Sequence, residues 1–372
     1  MRIFFRIMLA LASVLASAAM LGTGVASASI RIAYVAPNGS WSKPDNSCRT
    51  AEFHSINNAI SHVSAGGTVV VCRGTYYTQA VIRKSLALIG RPGAVINAKG
   101  QKPVPGLPVP GGSGVVVLGT RHVLVRGFVI FNAKFDAVLV ARSTNVQVAD
   151  NILEHNGDVG VDFNGTSFSI ATHNISRFNT GGGFLVADDL GRSTSDAVTW
   201  NVASRNPRGC GVIVAGHSTA GVTNNFVAHN LLTFNGTNKK SPGAGVVIAT
   251  EVKHETVADN TVYANTIFGN GLAGVTIHSH VSGQNLNGNR IIGNDIGTNN
   301  TVGDTIGLGP PVTNKPDLRT TGILVGASSR VRVLISNNFI HNNFYGIFIE
   351  GRVIATLAGN HYHSVVVPVK VT

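Results

Sequence analysis

The 372-residue sequence is poor in charge and in rings, with 12% Asp, Glu, Lys and Arg and 6% Phe, Trp and Tyr. So few charges exclude an extended solvated chain, and abundant Gly with Val, Ile and Asn recurring throughout excludes a helical bundle. Acidic residues are the scarcer sign, 17 against 29 basic, giving a formal charge of +12. Beyond residue 28 no apolar run approaches the ~20 residues that cross a bilayer, so no membrane span is expected. No lipidation or sorting signal is legible at the C-terminus. Cysteine occurs three times, too seldom for a disulfide scaffold or a Cys-rich metal module.

What is present begins with a leader. Arg2 and Arg6 precede an apolar run from Ile7 to Leu21 and then Ala26-Ser27-Ala28. Residues 1–28 therefore read as a signal peptide, and the mature chain as a secreted protein of charge about +10 once the two arginines are removed. In an oxidising compartment Cys48 and Cys72 are the expected disulfide, leaving Cys210 as a buried, inert thiol. Residues 29–114 read as an N-terminal cap and first coils, and 115–372 as repeats continuous with them. A monomer is the simplest assembly.

Asparagines five apart recur along the second part: Asn151/Asn156, Asn174/Asn179, Asn201/Asn206, Asn230/Asn235, Asn265/Asn270, Asn294/Asn299 and Asn338/Asn343. Most pairs precede a glycine and a short alternating segment, as in Gly183-Phe-Leu-Val186, Gly211-Val-Ile-Val214 and Gly245-Val-Val-Ile248. Self-similarity at this period marks a solenoid, and β-branched segments bounded by Asn and Gly make it a solenoid of strands. Stacked coils would pair in parallel at ~4.8 Å. Each asparagine would sit at a bend, tolerating the left-handed conformation and bonding the same amide one coil away. Ser55 to Ala65, with Phe53, Ile56, Ala59, Ile60 and Val63 at helical spacing, predicts an N-terminal capping helix. Val365–Val371, with Pro368 and Lys370, predicts a protected last strand. Residues 101–113 and 299–321 read as loops.

These Asn-x4-Asn repeats, from about Val115 to Asn360, resemble the NosD-type and pectin-lyase-like right-handed parallel β-helix proteins. Gly66-Gly67-Thr68-Val69-Val70-Val71, Gly74-Thr75-Tyr76 and Leu86-Ala-Leu-Ile-Gly90 are similar to the opening coils of many secreted polysaccharide-active members. The resemblance implies an all-β, single-stranded right-handed β-helix, and carbohydrate chemistry as a tendency of that fold.

Aligned on their glycines, the coils place Asp189, His217, Glu251 and His280 at the seventh position, outward and one strand spacing apart. Asp188, Lys253, His254, Glu255 and His278 flank them. The span from strand glycine to next ladder asparagine is 14 residues for Gly160 to Asn174, rises to 18, 19, 20 and 20 in the four coils carrying the cluster, and is 16 from Gly322. The added residues are expected to wall a groove. In it Asp189, His217, Glu251 and His280 are the candidate catalytic residues, and Asp188, Lys253, His254 and His278 candidate substrate-binding ones.

Three chemistries are open to this set. A carboxylate and a histidine can divide acid and base roles. Two histidines and a carboxylate can hold zinc, and Asp188, Asp189 and Glu251 can hold calcium against a substrate carboxylate. A decorated, solvated face is the alternative to all three. Gly160-Val-Asp-Phe-Asn-Gly165 and Leu190-Gly-Arg192 resemble pectin methylesterase motifs, and Asp188-Asp189 the paired aspartates of polygalacturonases. The companion motifs of both families are missing, as is the Asp-Pro-His-Asp of mannuronan epimerases, so none of these activities is carried over. Scattered basic residues, among them Arg83, Arg121, Arg142, Arg177, Arg205 and Arg208, suit an anionic polysaccharide or cell-wall polymer. Nucleic acid is disfavoured by export and by the lack of an aromatic ladder. The reading is a protein that binds or processes polysaccharide as a lyase or hydrolase, with a non-catalytic surface or adhesion solenoid as the alternative.

Overall fold

The computed structural model describes residues 30–39, 47–303 and 318–372. The leader lies outside the described residues, as does the middle of the expected 299–321 loop.

Short strands follow one another around each coil in three series, and every strand pair is parallel. The first series runs through Val138–Ala141, Val159–Asn164, Gly182–Ala187, Cys210–Gly216, Val246–Thr250 and Val275–Ser279. The second includes Ile170–Thr172, Ala197–Thr199 and Phe226–Ala228, and the third Ile152–Glu154, Ile175–Arg177, Val202–Ser204 and Leu231–Thr233. This is the right-handed parallel β-helix expected from the repeats. In the last coils the first two series merge into long bent strands, Thr321–Ser336 and Tyr345–Ala358.

Alternation builds the core. Val161 and Phe163, Phe184 and Val186, Val212 and Val214, Val246 and Ile248, and Val275 and Ile277 all turn inward, each at most 1% exposed. Equivalent side chains stack coil on coil in one continuous hydrophobic column.

The asparagines stack as expected. Nδ2 of Asn151 donates to Oδ1 of Asn174 at 3.0 Å, and the chain of amides continues through Asn201, Asn230, Asn265, Asn294 and Asn338 to Asn360. Each Oδ1 also accepts the backbone N–H of the preceding coil, as Asn265 does from Asn230 at 2.9 Å. The ladder therefore satisfies a buried bend that has no other partner. The second column, from Asn156 to Asn343, repeats the backbone N–H to Oδ1 bonds throughout, while Asn179 and Asn299 turn their Nδ2 groups to Ser176 and to carbonyls. A third, Asn225–Asn260–Asn289, extends from Asp196; each of these stands five residues before one of the pairs, so the same spacing carries it although the pairs alone do not include it.

The helix is shorter than 55–65. It spans Ile56–His62, capped by the Ser55 hydroxyl and burying Ile56, Ala59 and Ile60. Val63 instead opens the strand Val63–Val71, because it pairs with Ile30 of the preceding strand. Cys48 and Cys72 are bonded, their Cα atoms 5.6 Å apart. The final strand is Val367–Val371, along the Tyr345–Ala358 strand. Among the described residues no helix is long and apolar enough to cross a membrane.

Candidate functional site

On the outer face of the first series, equal register becomes adjacency. Leu185, Ile213, Val247 and Thr276 form one column, and Ala187, Ala215, Ala249 and His278 the next. Ala215 and Ala249 are too small to fill the outer face, leaving a groove of about 470 Å³. His217, Glu251, His278 and His280 line it.

The expected seventh column forms a row. Both carboxylate oxygens of Asp189 lie 3.1 Å from Nδ1 of His217. Nε2 of His217 lies 3.9 Å from Oε1 of Glu251, beyond hydrogen-bond reach but within ion-pair range. His280 follows two coils beyond His217, about 10 Å along the axis at one strand spacing per coil. It meets His278, Nε2 to Nε2, at 3.1 Å. Asn164 donates to Asp189 at 2.8 Å from the preceding coil, so Asp189 stands behind His217 as its orienting partner.

Two buried carboxylates hold this row in place. Asp188, 0% exposed, accepts the backbone N–H groups of His217 at 2.7 Å, Ser218 at 3.0 Å and Gly221 at 2.7 Å. Asp188 thus fixes the turn that presents His217, and its expected place as a substrate-binding residue is corrected: a carboxylate spent on three backbone donors out of solvent has nothing to offer a ligand. Glu255, also 0% exposed, does the same for the next turn, accepting from Glu251 at 2.7 Å and Val252 at 3.1 Å. A side chain at Gly216 would collide with Glu255, which is why that position is glycine. Lys253 and His254 are exposed on the turn and do not line the groove, because the chain bends away after Glu251.

The charges are graded along the row. The hydrogen bond that His217 donates to Asp189, with the charges of Asp189 and Glu251, raises His217 to about 9 against the opposing effect of burial. Burial would raise Asp189, but the bonds from His217 and Asn164 leave it below its ordinary value. Burial and the neighbouring His280 depress His278 to about 3. His280 is lowered by burial against the pull of Glu251. At neutral pH the groove thus holds an imidazolium at His217 and neutral imidazoles at His278 and His280.

Sequence reasoning missed the wall. It comes from the opposite side of the strands to the spans counted above: Arg208, Lys240 and Pro242 face the groove from the segments between ladder asparagine and strand glycine. Asn235 to Gly245 spans 10 residues where Asn156 to Gly160 spans 4, and that was the readable signal. Cys210 lines the same wall as a half-buried free thiol, not a fully buried one. Its surroundings push it up to about 11, so it stays protonated. Asp158 lies at one end of the groove, raised by burial. Asp162, in the methylesterase-like segment, is only 2% exposed and held well above the carboxylate range, chiefly by burial. It is therefore no nucleophile.

The calcium set does not assemble, since Asp188 is committed to backbone donors and His217 stands between Asp189 and Glu251. Among the described residues no three His, Cys, Asp or Glu side chains converge as a metal site, zinc included.

The sequence matches no protein-family profile and no curated protein. Its fold does match solved structures. The A-module of mannuronan C-5 epimerase AlgE4 from Azotobacter vinelandii superposes with a TM-score of 0.57 at 17% identity, over 82% of this chain and 91% of that one. Pectate lyase Pel9A gives 0.61 at 18% identity, over 89% and 78%. PfbA, a surface adhesin of Streptococcus pneumoniae, gives 0.57 at 11% identity, over 85% and 88%. At these identities the likeness establishes the pectin-lyase-like right-handed parallel β-helix and nothing narrower.

Proposed function

We propose that this chain is a secreted enzyme that processes an acidic polysaccharide in the groove beside His217, Glu251 and His280, by lyase-type elimination. The carrying observation is that Asp189, His217 and Glu251 stand in a row and that His217, Glu251 and His280 line one groove, instead of being splayed over a flat face. Glu251, whose Oε1 lies 3.9 Å from Nε2 of His217, takes the proton next to the sugar carboxylate. The glycosidic C–O bond breaks as the new double bond forms, and imidazolium His217 gives its proton to the leaving oxygen. Arg208 and Lys240, on the wall, offset the substrate carboxylate. Hydrolysis is the weaker reading, because it needs two carboxyls flanking the bond, and Asp189 stands behind His217 and does not line the groove. Support for a polysaccharide comes from neighbours that are a pectate lyase and a mannuronan epimerase. Support for an extracellular place comes from the leader-like residues 1–28 and the Cys48–Cys72 bond.

A neighbour that is an adhesin favours a second reading, binding without turnover. Incubation with polygalacturonate, alginate and a neutral glycan, each with and without calcium or zinc, separates the two. Unsaturated, ultraviolet-absorbing ends on an acidic glycan are expected. Retention of polymer with no new chain ends on any substrate would replace the enzymatic reading with the adhesive one.

A further inference from the structure

A second surface of the coil carries rings where the fold does not need them. The residue before most asparagines of the second ladder has a left-handed backbone, a conformation that Gly269 and Asn342 adopt there at little cost, as does Asn132 at the equivalent place one coil before Asn156. In the four coils between Asn132 and Gly269 the same place is taken by His155, Phe178, Arg205 and Phe234, at φ of 54 to 57°. A bulky side chain there strains the backbone, and these face water: Phe178 is 38% exposed and Phe234 44%. His155 stacks on Phe178 with centroids 5.2 Å apart and planes 13° from parallel, and Phe234 meets Phe268 edge to face at 5.7 Å.

The rings border two adjoining depressions of about 610 and 450 Å³ that share His155 and Phe178. Arg205 and Lys99 line them, and no carboxylate does. Asn132, Thr180 and Thr237 add hydrogen-bonding groups. The inserted segments that wall the groove form the ridge between the two surfaces, with Arg208 and Lys240 on one side and Pro207 and Thr237 on the other.

We propose that this trench is a second, non-catalytic binding site for a strand of acidic polysaccharide lying along the solenoid axis. Rings at His155 and Phe178, one coil or about 4.8 Å apart, and at Phe234 two coils further on offer flat apolar contacts to a regular polymer, and the two cations with no acid among them match its carboxylates. A polymer held there is tethered beside the groove, which raises its local concentration at His217 and His280. The trench stands on its own residues whether or not the groove turns a substrate over.

Affinity electrophoresis of the full chain in gels containing polygalacturonate, alginate or dextran tests it. Phe178→Asn with Phe234→Asn keeps a residue type that the fold already uses at this place, and Arg205→Asn reads the same trench through charge alone. The intact chain should be retarded by an acidic glycan and not by dextran. Both variants should weaken that retardation at least fivefold, while His217→Ala leaves it intact. Unchanged retardation in the variants, or none of the intact chain in either acidic gel, overturns the proposal. So does retardation only by a single-stranded oligonucleotide, or a ring variant that converts a sedimenting dimer to monomer, which would make the face a contact between copies. Loss of product in His217→Ala with retardation kept concerns the groove alone, so the two readings fail separately.

Discussion

The ladder bends and the groove face use the same geometry to opposite ends. At the bends, one residue type stands in every coil: Asn201, Asn230 and Asn265 bond each other, close their own polar groups and leave nothing for a ligand. On the groove face, a different residue stands in each coil at equal register, so Asp189, His217, Glu251 and His280 meet as unlike neighbours. Identical stacked groups satisfy each other and become structure. Unlike titratable groups shift each other, and His217 at about 9 beside a lowered Asp189 is the result.

The comparison is tested most severely at His217. On the proposed reading His217→Ala should lower turnover of an acidic glycan by about 10²- to 10⁴-fold, the usual contribution of a positioned acid, with unfolding still cooperative and its midpoint lowered only by the loss of the Asp189 pairing. Turnover within twofold of the parent would place the chemistry elsewhere. The ladder should show the reverse. Asn230→Leu removes the partner of Asn201 and the donor to Val198 and Asn265. It should cost about 1 to 3 kcal/mol in denaturant unfolding while the folded fraction keeps its specific activity.

A subtler effect belongs to Asp189, which raises His217 above its ordinary value. The stability from that pairing is fully present below about pH 6.5 and is lost as pH rises through about 9. Asp189→Asn should flatten this alkaline decline and move the alkaline limb of turnover to lower pH, with the imidazole titration followed by NMR. An unshifted titration would mean that the 3.1 Å contact does not govern the proton. The smallest effect is expected from Lys253→Ala and His254→Ala, on the exposed turn. Each should leave both turnover and stability within about 0.5 kcal/mol of the parent. A tenfold loss in either would put that turn over the groove.

Much of this was legible because a solenoid converts sequence period into spatial column. The Asn pairs predicted the ladder, the strand glycines predicted the register, and counting seven residues from them identified Asp189, His217, Glu251 and His280 before any coordinate. Where the chain leaves that period, counting failed. Asp188 and Glu255 looked like surface carboxylates, yet turns folding back on themselves bury both against backbone donors. Lys253 and His254 followed Glu251 in sequence and parted from it at a bend. The aromatic residues read as scattered, with no ladder, because they are spaced 23 to 29 residues apart. In space Trp200 stacks on His229 with centroids 4.3 Å apart and on His173 at 6.4 Å.

By itself the sequence determined the parallel β-helix, its stacked asparagines and the row of unlike residues on one face, since each follows from local alternation and a repeating count, and the Cys48–Cys72 pair, since those two cysteines lie close in the chain. Only the tertiary structure decided which of those residues share a cavity, that Arg208 and Lys240 wall it, and which histidine keeps its proton. Those outcomes depend on turns between coils and on desolvation, which are set by atoms distant in the chain and carry no period to read.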